Sequence, residues 1–574
     1  MKRMLIAACL GALFVVGCKK DSKDNAAAQT GETKPAAGNE GATGETKPAP
    51  AAAAAKNPEG CNSALSEAIA ADYTFTEKCS PYTVSADFNV DGYTLTIEPG
   101  VEVKVTGDAA FHAGHYGKGK LVVNGTKEKP VKFSGAHWPG LRLWSDASES
   151  ALNNVIIENA GTDDDAALHL EAGGVVLNGV SIVGAKKKAL EVKSDKPLKS
   201  AALVDLSKAG GDPSELVHVP FHSAGVLGAA LTVPEKSIIW VHGGLDTDVT
   251  LVNSGAPYRF PDSANIDPPE GKSAVVTVKE GVTLQLAENA RLAFGQYTGG
   301  AGLKVQGTKE KPVLMTRYGE DQAATPAQGL WFANGARPPE IDFLVIENAG
   351  GSDGAAISFD GNRGLGKITN STFRSLKGTA VWVRDANERF VAFDGNTFDG
   401  VEGQALRIPL QLADKLGAAN VFTDKARVLL TGATAKDVTL AKLNKPYVVD
   451  GELRVDGEAT RAAVLTIADG AALQFNDEGI VRVGGYNPAK VVAKDVTFDK
   501  LLSNWHGLHF SGTSTVELEN LTISGVSADD YPLEFDENVT GSAKKITIKG
   551  SGKGARSCNS KVKLEAVKPL EKCE

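Results

Sequence analysis

Leu95-Thr-Ile-Glu-Pro-Gly-Val-Glu-Val-Lys-Val105 returns as Val276-Thr-Val-Lys-Glu-Gly-Val-Thr-Leu-Gln-Leu286 and again as Leu465-Thr-Ile-Ala-Asp-Gly-Ala-Ala-Leu-Gln-Phe475. The second and third copies are offset by 189 residues (276 to 465), and the offset holds far outside the quoted line. Pro220, Leu227-Gly228, Asp248-Val-Thr-Leu251 and Pro257-Tyr258 map onto Pro409, Leu416-Gly417, Asp437-Val-Thr-Leu440 and Pro446-Tyr447. A repeat of this length means one architectural unit used three times. Each copy alternates apolar and polar residues around a glycine turn, the pattern of short half-buried strands.

The same texture extends outward. In the first module the strands read as Val101–Val105, Leu121–Val123, Val131–Phe133, Leu141–Leu143, Val155–Ile157, Leu168–Leu170, Val180–Ile182 and Leu190–Val192. Helical periodicity is nearly absent, and no Asn-Gly hairpin turns join the strands systematically. Strands this short, recurring over hundreds of residues, predict an all-β right-handed parallel β-helix, in which each coil pairs with the next and apolar positions stack inside. Modules are expected at 81–256, 257–445 and 446–555, the third truncated soon after Ile546-Thr-Ile548. Segments at about 195–270 and 385–450 carry longer loops and are expected to interrupt the winding. Asn159, Asn348 and Asn370 suit coil corners, because Asn tolerates left-handed backbone.

The order Leu95–Val105, Leu121–Phe133 ("LVVNGTKEKPVKF"), Trp138–Leu143 ("WPGLRL") and Asn153–Gly161 ("NNVIIENAG") resembles the right-handed parallel β-helix repeat lipoproteins of bacterial envelopes, within the wider pectin-lyase-like group. Gly125–Val131 recurs unchanged as Gly307–Val313, and the resemblance covers roughly 82–555. It implies the fold; it does not imply an activity, because that group includes enzymes, adhesins and proteins of no known chemistry.

The N-terminus reads as an address. Lys2 and Arg3 precede an apolar run, Met4–Val16, too short to span a bilayer. Val15-Val-Gly-Cys18 resembles the bacterial lipoprotein signal, which implies loss of residues 1–17 and a lipid on Cys18; an ordinary secretory signal is the other reading. Lys19 follows Cys18, and the absence of Asp there favours the outer membrane. Residues 18–60 are a tether of Ala, Pro, Gly, Thr, Lys and Glu without the apolar surface to fold. About 40 such residues span roughly 35 Å root-mean-square. The remaining cysteines, Cys61, Cys79, Cys558 and Cys573, suggest caps at 61–80 and 556–574 closed by Cys61–Cys79 and Cys558–Cys573, although four cysteines allow three connectivities. Disulfides persist in an exported protein, and loops of this size contribute about 3 kcal/mol each. Metal binding is the rival reading, without Cys-x-x-Cys spacing to support it.

Chemistry is harder to find. The Gly-His-Gly and Arg-x-Lys signatures of pectin-lyase-like hydrolases are missing, although an Asp-Asp is present. Trp240-Val-His-Gly-Gly244 does not match. No zinc helix or phosphate loop is present. Asp163, Asp164 and Asp165 align with Ser352-Asp353-Gly354 and Asp529-Asp530, as a calcium site or, more simply, as a polar turn. Calcium is therefore the one cofactor left open. The net charge of −9, with no basic patch carrying interleaved aromatics, argues against nucleic acid.

In a strand of three, the middle side chain points outward. Those positions are Arg142, Ile156, His169, Ser181 and Glu191 in module one, then Trp331, Val345, Ser358, Thr372 and Trp382, then His509, Thr522, Glu534 and Thr547. Arg142, Trp331, Trp382 and His509 are the candidate binding face, with the two tryptophans expected about four coils apart, roughly 19 Å. Packing beneath loops is the alternative for both. The expected function is noncatalytic binding, adhesion or envelope structure at the outer membrane, toward a polysaccharide or a surface protein. A carbohydrate-active enzyme is the alternative, and three or more carboxylates or cations converging in one groove would favour it.

Overall fold

The computed structural model describes residues 61, 63–65, 68–319, 325–351, 354–362, 364–386, 388–423 and 425–571. The expected signal peptide, Cys18, the expected tether, Ser352, Asp353 and Cys573 lie outside the described residues.

The chain is all-β, 50% strand and 3% helix, wound as a right-handed parallel β-solenoid of about 19 turns. Three strands make a coil. Thr94–Ile97, Glu102–Val105 and Phe111–Ala113 form one coil, and Lys120–Asn124, Val131–Trp138 and Leu141–Leu143 the next. Each strand pairs in parallel with its counterpart, Leu95 with Leu121, Val103 with Phe133 and Phe111 with Leu141. Parallel pairing places like on like, so Leu95, Val103, Phe111, Leu121, Phe133 and Leu141 are all fully buried. Each such side chain contributes about 1.5–3 kcal/mol. Aromatic stacks follow the strand repeat: Phe294, Phe332 and Phe359 lie 5.1 and 5.1 Å apart, and Phe373, Phe398 and Phe422 lie 4.9 and 5.1 Å apart.

The corners explain the recurring small and polar residues. Asn159, Asn348 and Asn370 have φ of 53°, 53° and 51°, the left-handed backbone expected of them. Trp138 and Trp505 each sit fully buried at a corner, where the indole N–H donates to Glu158 O (3.0 Å) and Ser524 O (2.8 Å). Gly140, Gly329 and Gly507 occupy one corner of each module at φ of 116°, 91° and 89°. A Cβ there would stand 2.6, 2.2 and 2.2 Å from the carbonyl oxygens of Ala167, Ala356 and Tyr531, which accounts for glycine in all three copies.

The long-loop segments break two of the three strand ladders while the third runs on: in the first, one sheet ends at Leu231–Thr232 and a new one starts at Val249–Leu251, and in the second, sheets end at Ala392–Asp394 and Val421–Phe422. Val217–Pro220, Ile239–His242 and Tyr258–Phe260 continue one face coil by coil. The only α-helix among the described residues, Phe221–Gly228, packs between Ser200–Asp205 and Val249–Leu251, filling a strand's place on another face. Its sequence lacks amphipathic signal because both sides are buried.

The expected disulfide Cys61–Cys79 is present, with Cα atoms 5.3 Å apart, and Ala64–Leu65 behind it pairs with Tyr82–Val84. Cys558 is disulfide-bonded. The segment expected to be only a cap adds a further coil, with Lys561–Lys568 paired to Thr540–Lys549.

The modules do not stack in phase. The module-one face that carries Arg142 continues through Trp240 and Arg259 to Gln285. Gln285 is the module-two counterpart of Lys104, which belongs to the neighbouring face of module one. Likewise the face of Trp331 and Trp382 continues through Arg407, Leu429 and Val448 to Gln474, the third counterpart. Each module is therefore turned by one face of the three-sided column relative to the one before.

Candidate functional site

The strand after each corner glycine starts from the same position in all three modules, and the register extends it into an exterior ladder. Module one gives Asn89, His112, Arg142, His169, Glu191 and His218. Module two gives Asn265, Ala293, Trp331, Ser358, Trp382 and Arg407. Module three gives Arg454, Arg482, His509, Glu534, Arg556 and Glu571. Arg142, Trp331 and His509 are thus the same rung of three equivalent ladders, but each ladder lies on a different face, so they do not form one stripe.

A second correction concerns spacing. Ile156 and Ser181, Val345 and Thr372, and Thr522 and Thr547 pair with one another on a neighbouring face. Counting them as rungs of one ladder doubled the distance. Only Ser358 separates Trp331 from Trp382, so the two are two rungs apart, about 10 Å at the usual strand spacing.

In module one the ladder is roofed over. His112, His169 and Glu191 are only 4, 8 and 5% exposed although they point away from the core. Trp144 donates its indole N–H to His112 Nδ1 (2.9 Å), and His115 stacks on Trp144 at 4.6 Å. His169 lies between two carboxylates, with Nδ1 3.0 Å from Glu191 Oε2 and Nε2 3.0 Å from Glu171 Oε1. Lys188 and Lys193 reach Glu191 at 2.9 and 3.1 Å. Burial works to raise the Glu191 pKa, but hydrogen bonds from His169, Lys188 and Lys193 outweigh it, and the carboxyl is held well below its usual range. Burial, with the adjacent His115, lowers His112 to about 4. Arg142 spends its guanidinium on Asp165 at 2.6 Å, and Asp163 is held by Lys186 at 2.9 Å. The Asp163-Asp164-Asp165 turn therefore ties a loop to the ladder. Among the described residues no group of three or more His, Cys, Asp or Glu side chains is placed to hold a metal.

In module two the ladder borders an open cavity of about 400 Å³, lined by Arg291, Gln328, Trp331, Ser358, Asp360 and Arg384 among others. Trp331 donates its indole N–H to Asp360 Oδ2 at 2.5 Å, and Arg384 reaches the same oxygen at 3.2 Å. Asp360 Oδ1 is left buried without a partner. Arg291 stacks over Trp331 with its guanidinium 4.1 Å from the ring centroid; Arg384 and Arg407 stand 4.1 and 4.8 Å from that of Trp382. Both tryptophans are half-buried, and guanidinium groups occupy the ring faces that bare stacking on sugars would need.

Module three borders a groove of about 440 Å³ lined by Arg454, Arg482, Tyr486, His509, Ser511, Glu534 and Asp536 among others. His509 Nδ1 is 3.7 Å from Glu534, and Nε2 is buried without a partner. Burial, opposed by the charge of Glu534, holds this imidazole below its ordinary pKa and therefore neutral near pH 7.

Three tyrosines escaped the sequence reading. Tyr116, Tyr297 and Tyr486 are 56, 73 and 84% exposed at one equivalent turn, Gly-x-Tyr. An aspartate in the preceding coil holds each turn. Asp91 accepts from His115 N (2.8 Å), Asp267 from Tyr297 N (3.0 Å) and Asp456 from Asn487 N (2.7 Å). The paired signals, Val-Asp or Ile-Asp followed a coil later by Gly-x-Tyr, stand in the sequence and emerge once the modules are aligned.

No family model matches the chain, and no curated protein or solved structure matches it.

Proposed function

We propose that this chain is an exported, lipid-anchored outer-membrane β-helix that binds an acidic polysaccharide and performs no chemistry on it. The module-two ladder, with the cavity beside Trp331, carries the reading. Two indoles at a spacing of two rungs, three guanidinium groups stacked against them and one half-satisfied carboxylate form a planar, hydrogen-bonding and net cationic surface. Arg291 and Arg384 suit sugar carboxylates, while Gln328, Ser358 and Asp360 suit hydroxyls. The lipid address rests on Met4–Cys18 alone.

Retention of the full chain on an immobilised acidic polysaccharide tests the reading. Trp331→Ala with Trp382→Ala is expected to cut retention at least tenfold while the far-UV spectrum stays that of the parent. Unchanged retention would refute the assignment of the face.

The enzyme reading keeps one observation in its favour: Arg454, Arg482, His509, Glu534 and Asp536 converge on the module-three groove. Incubation with a panel of acidic polysaccharides, with and without calcium, decides. Product formation would replace binding with turnover; intact polymer is expected.

A further inference from the structure

The module-three groove has features that a roofed structural ladder lacks. Glu452 accepts from Arg454 Nε at 2.7 Å and from Arg482 Nε at 3.1 Å, so one carboxylate aligns two guanidinium groups from successive coils. The terminal nitrogens of neither make a hydrogen bond among the described residues. Arg142, by contrast, gives its terminal Nη2 to Asp165 at 2.6 Å and keeps Nε buried without a partner. His509 on the next rung keeps Nε2 unpartnered, and the rung after it is closed by the pair Arg556–Glu534 at 3.2 Å. Tyr486 overhangs the groove at 84% exposure, with Arg454 5.6 Å from its ring centroid. The turn beneath is Gly484-Gly485, both at positive φ (75° and 116°). A Cβ on Gly484 would meet Ser511 O at 2.2 Å, so this wall is bare backbone.

We propose that this groove is a second, separate binding site for a carboxylated sugar unit. Arg454 and Arg482 take the carboxylate, Ser511 takes a hydroxyl, and Tyr486 covers the ring. The choice of a sugar rests on the reading of the module-two face; the anion preference rests on the two arginines alone. Asp536 on the rim opposes a ligand of high charge density and favours one carboxylate flanked by hydroxyls. The module-three ladder lies one face round from that of module two, so this site does not extend the first one. It engages a different polymer segment.

The test is calorimetric titration of the full chain with a purified oligogalacturonate and with its methyl-esterified form. Four proteins are compared: the parent, Arg454→Gln with Arg482→Gln, Tyr486→Ala, and Trp331→Ala with Trp382→Ala. Two binding events are expected for the acid form and none for the ester. The arginine pair should abolish one event, and Tyr486→Ala should weaken that same event about tenfold. Tyr486 is exposed enough that its loss leaves folding intact. If both events survive in the arginine and Tyr486 variants, the second site is wrong while the module-two reading stands. If the arginine variant loses its event and the tryptophan variant loses nothing, the groove is a site and the module-two reading fails. Equal binding of ester and acid would overturn the anion assignment.

Discussion

Arg142, Trp331 and His509 stand on one backbone position, and their different neighbours give them different work. Asp165 neutralises the first, guanidinium groups stack on the second, and the third keeps a free ring nitrogen. The neighbours of His112 make it the most strongly perturbed histidine. Its folded pKa of about 4 lies below the ordinary 6.5, so the native state takes up the proton later than the unfolded chain. That stability is complete above pH 6.5 and is lost as pH falls from there toward 4, a contribution on the order of 3 kcal/mol. His218, His222, His242 and His509 are shifted the same way by burial and add to the slope. Denaturant midpoints measured between pH 7 and pH 4.5 should fall less steeply for His112→Gln than for the parent. Parallel slopes would show that His112 is not held neutral. The outward orientation of these side chains was legible in the alternation of each strand. Their cover was not, because Trp144, Glu171, Lys188 and Lys193 reach over from turns, where no periodicity reports direction.

Among the elements, the strands were the most legible part of the chain. All eight strands read in module one exist, since three-residue alternation between glycine and asparagine punctuation leaves few alternatives. Phe111–Ala113 was passed over between them. The corner tryptophans Trp138 and Trp505 stand two residues before the corner glycines Gly140 and Gly507. Both are fully exchanged for core, so Trp138→Ala or Trp505→Ala should destabilise by about 3–5 kcal/mol, measured by denaturant unfolding. A change below about 1 kcal/mol would mean that the corner relaxes and that the indole N–H bonds to Glu158 and Ser524 are dispensable. The helix Phe221–Gly228 was invisible because a turn buried on every side shows no stripe.

At the scale of the molecule, the repeat identified equivalent positions and concealed where they point. Alignment counts residues, whereas facing depends on how many strands separate two copies. Because each module advances one face round the column, residues that align best, such as Arg142, Trp331 and His509, end on different sides. The single stripe expected from the alignment is replaced by three ladders, one closed and two open. A rigid polymer lying along Trp331 and Trp382 would not run into Tyr486, which suits a protein that gathers separate segments. Equilibrium binding of a long acidic polysaccharide to the full chain, followed across a series of salt concentrations, tests this arrangement. Saturable binding that weakens steeply with salt and is absent for the esterified polymer is the expected result. Binding that ignores both salt and esterification, or no binding at low salt, would contradict it.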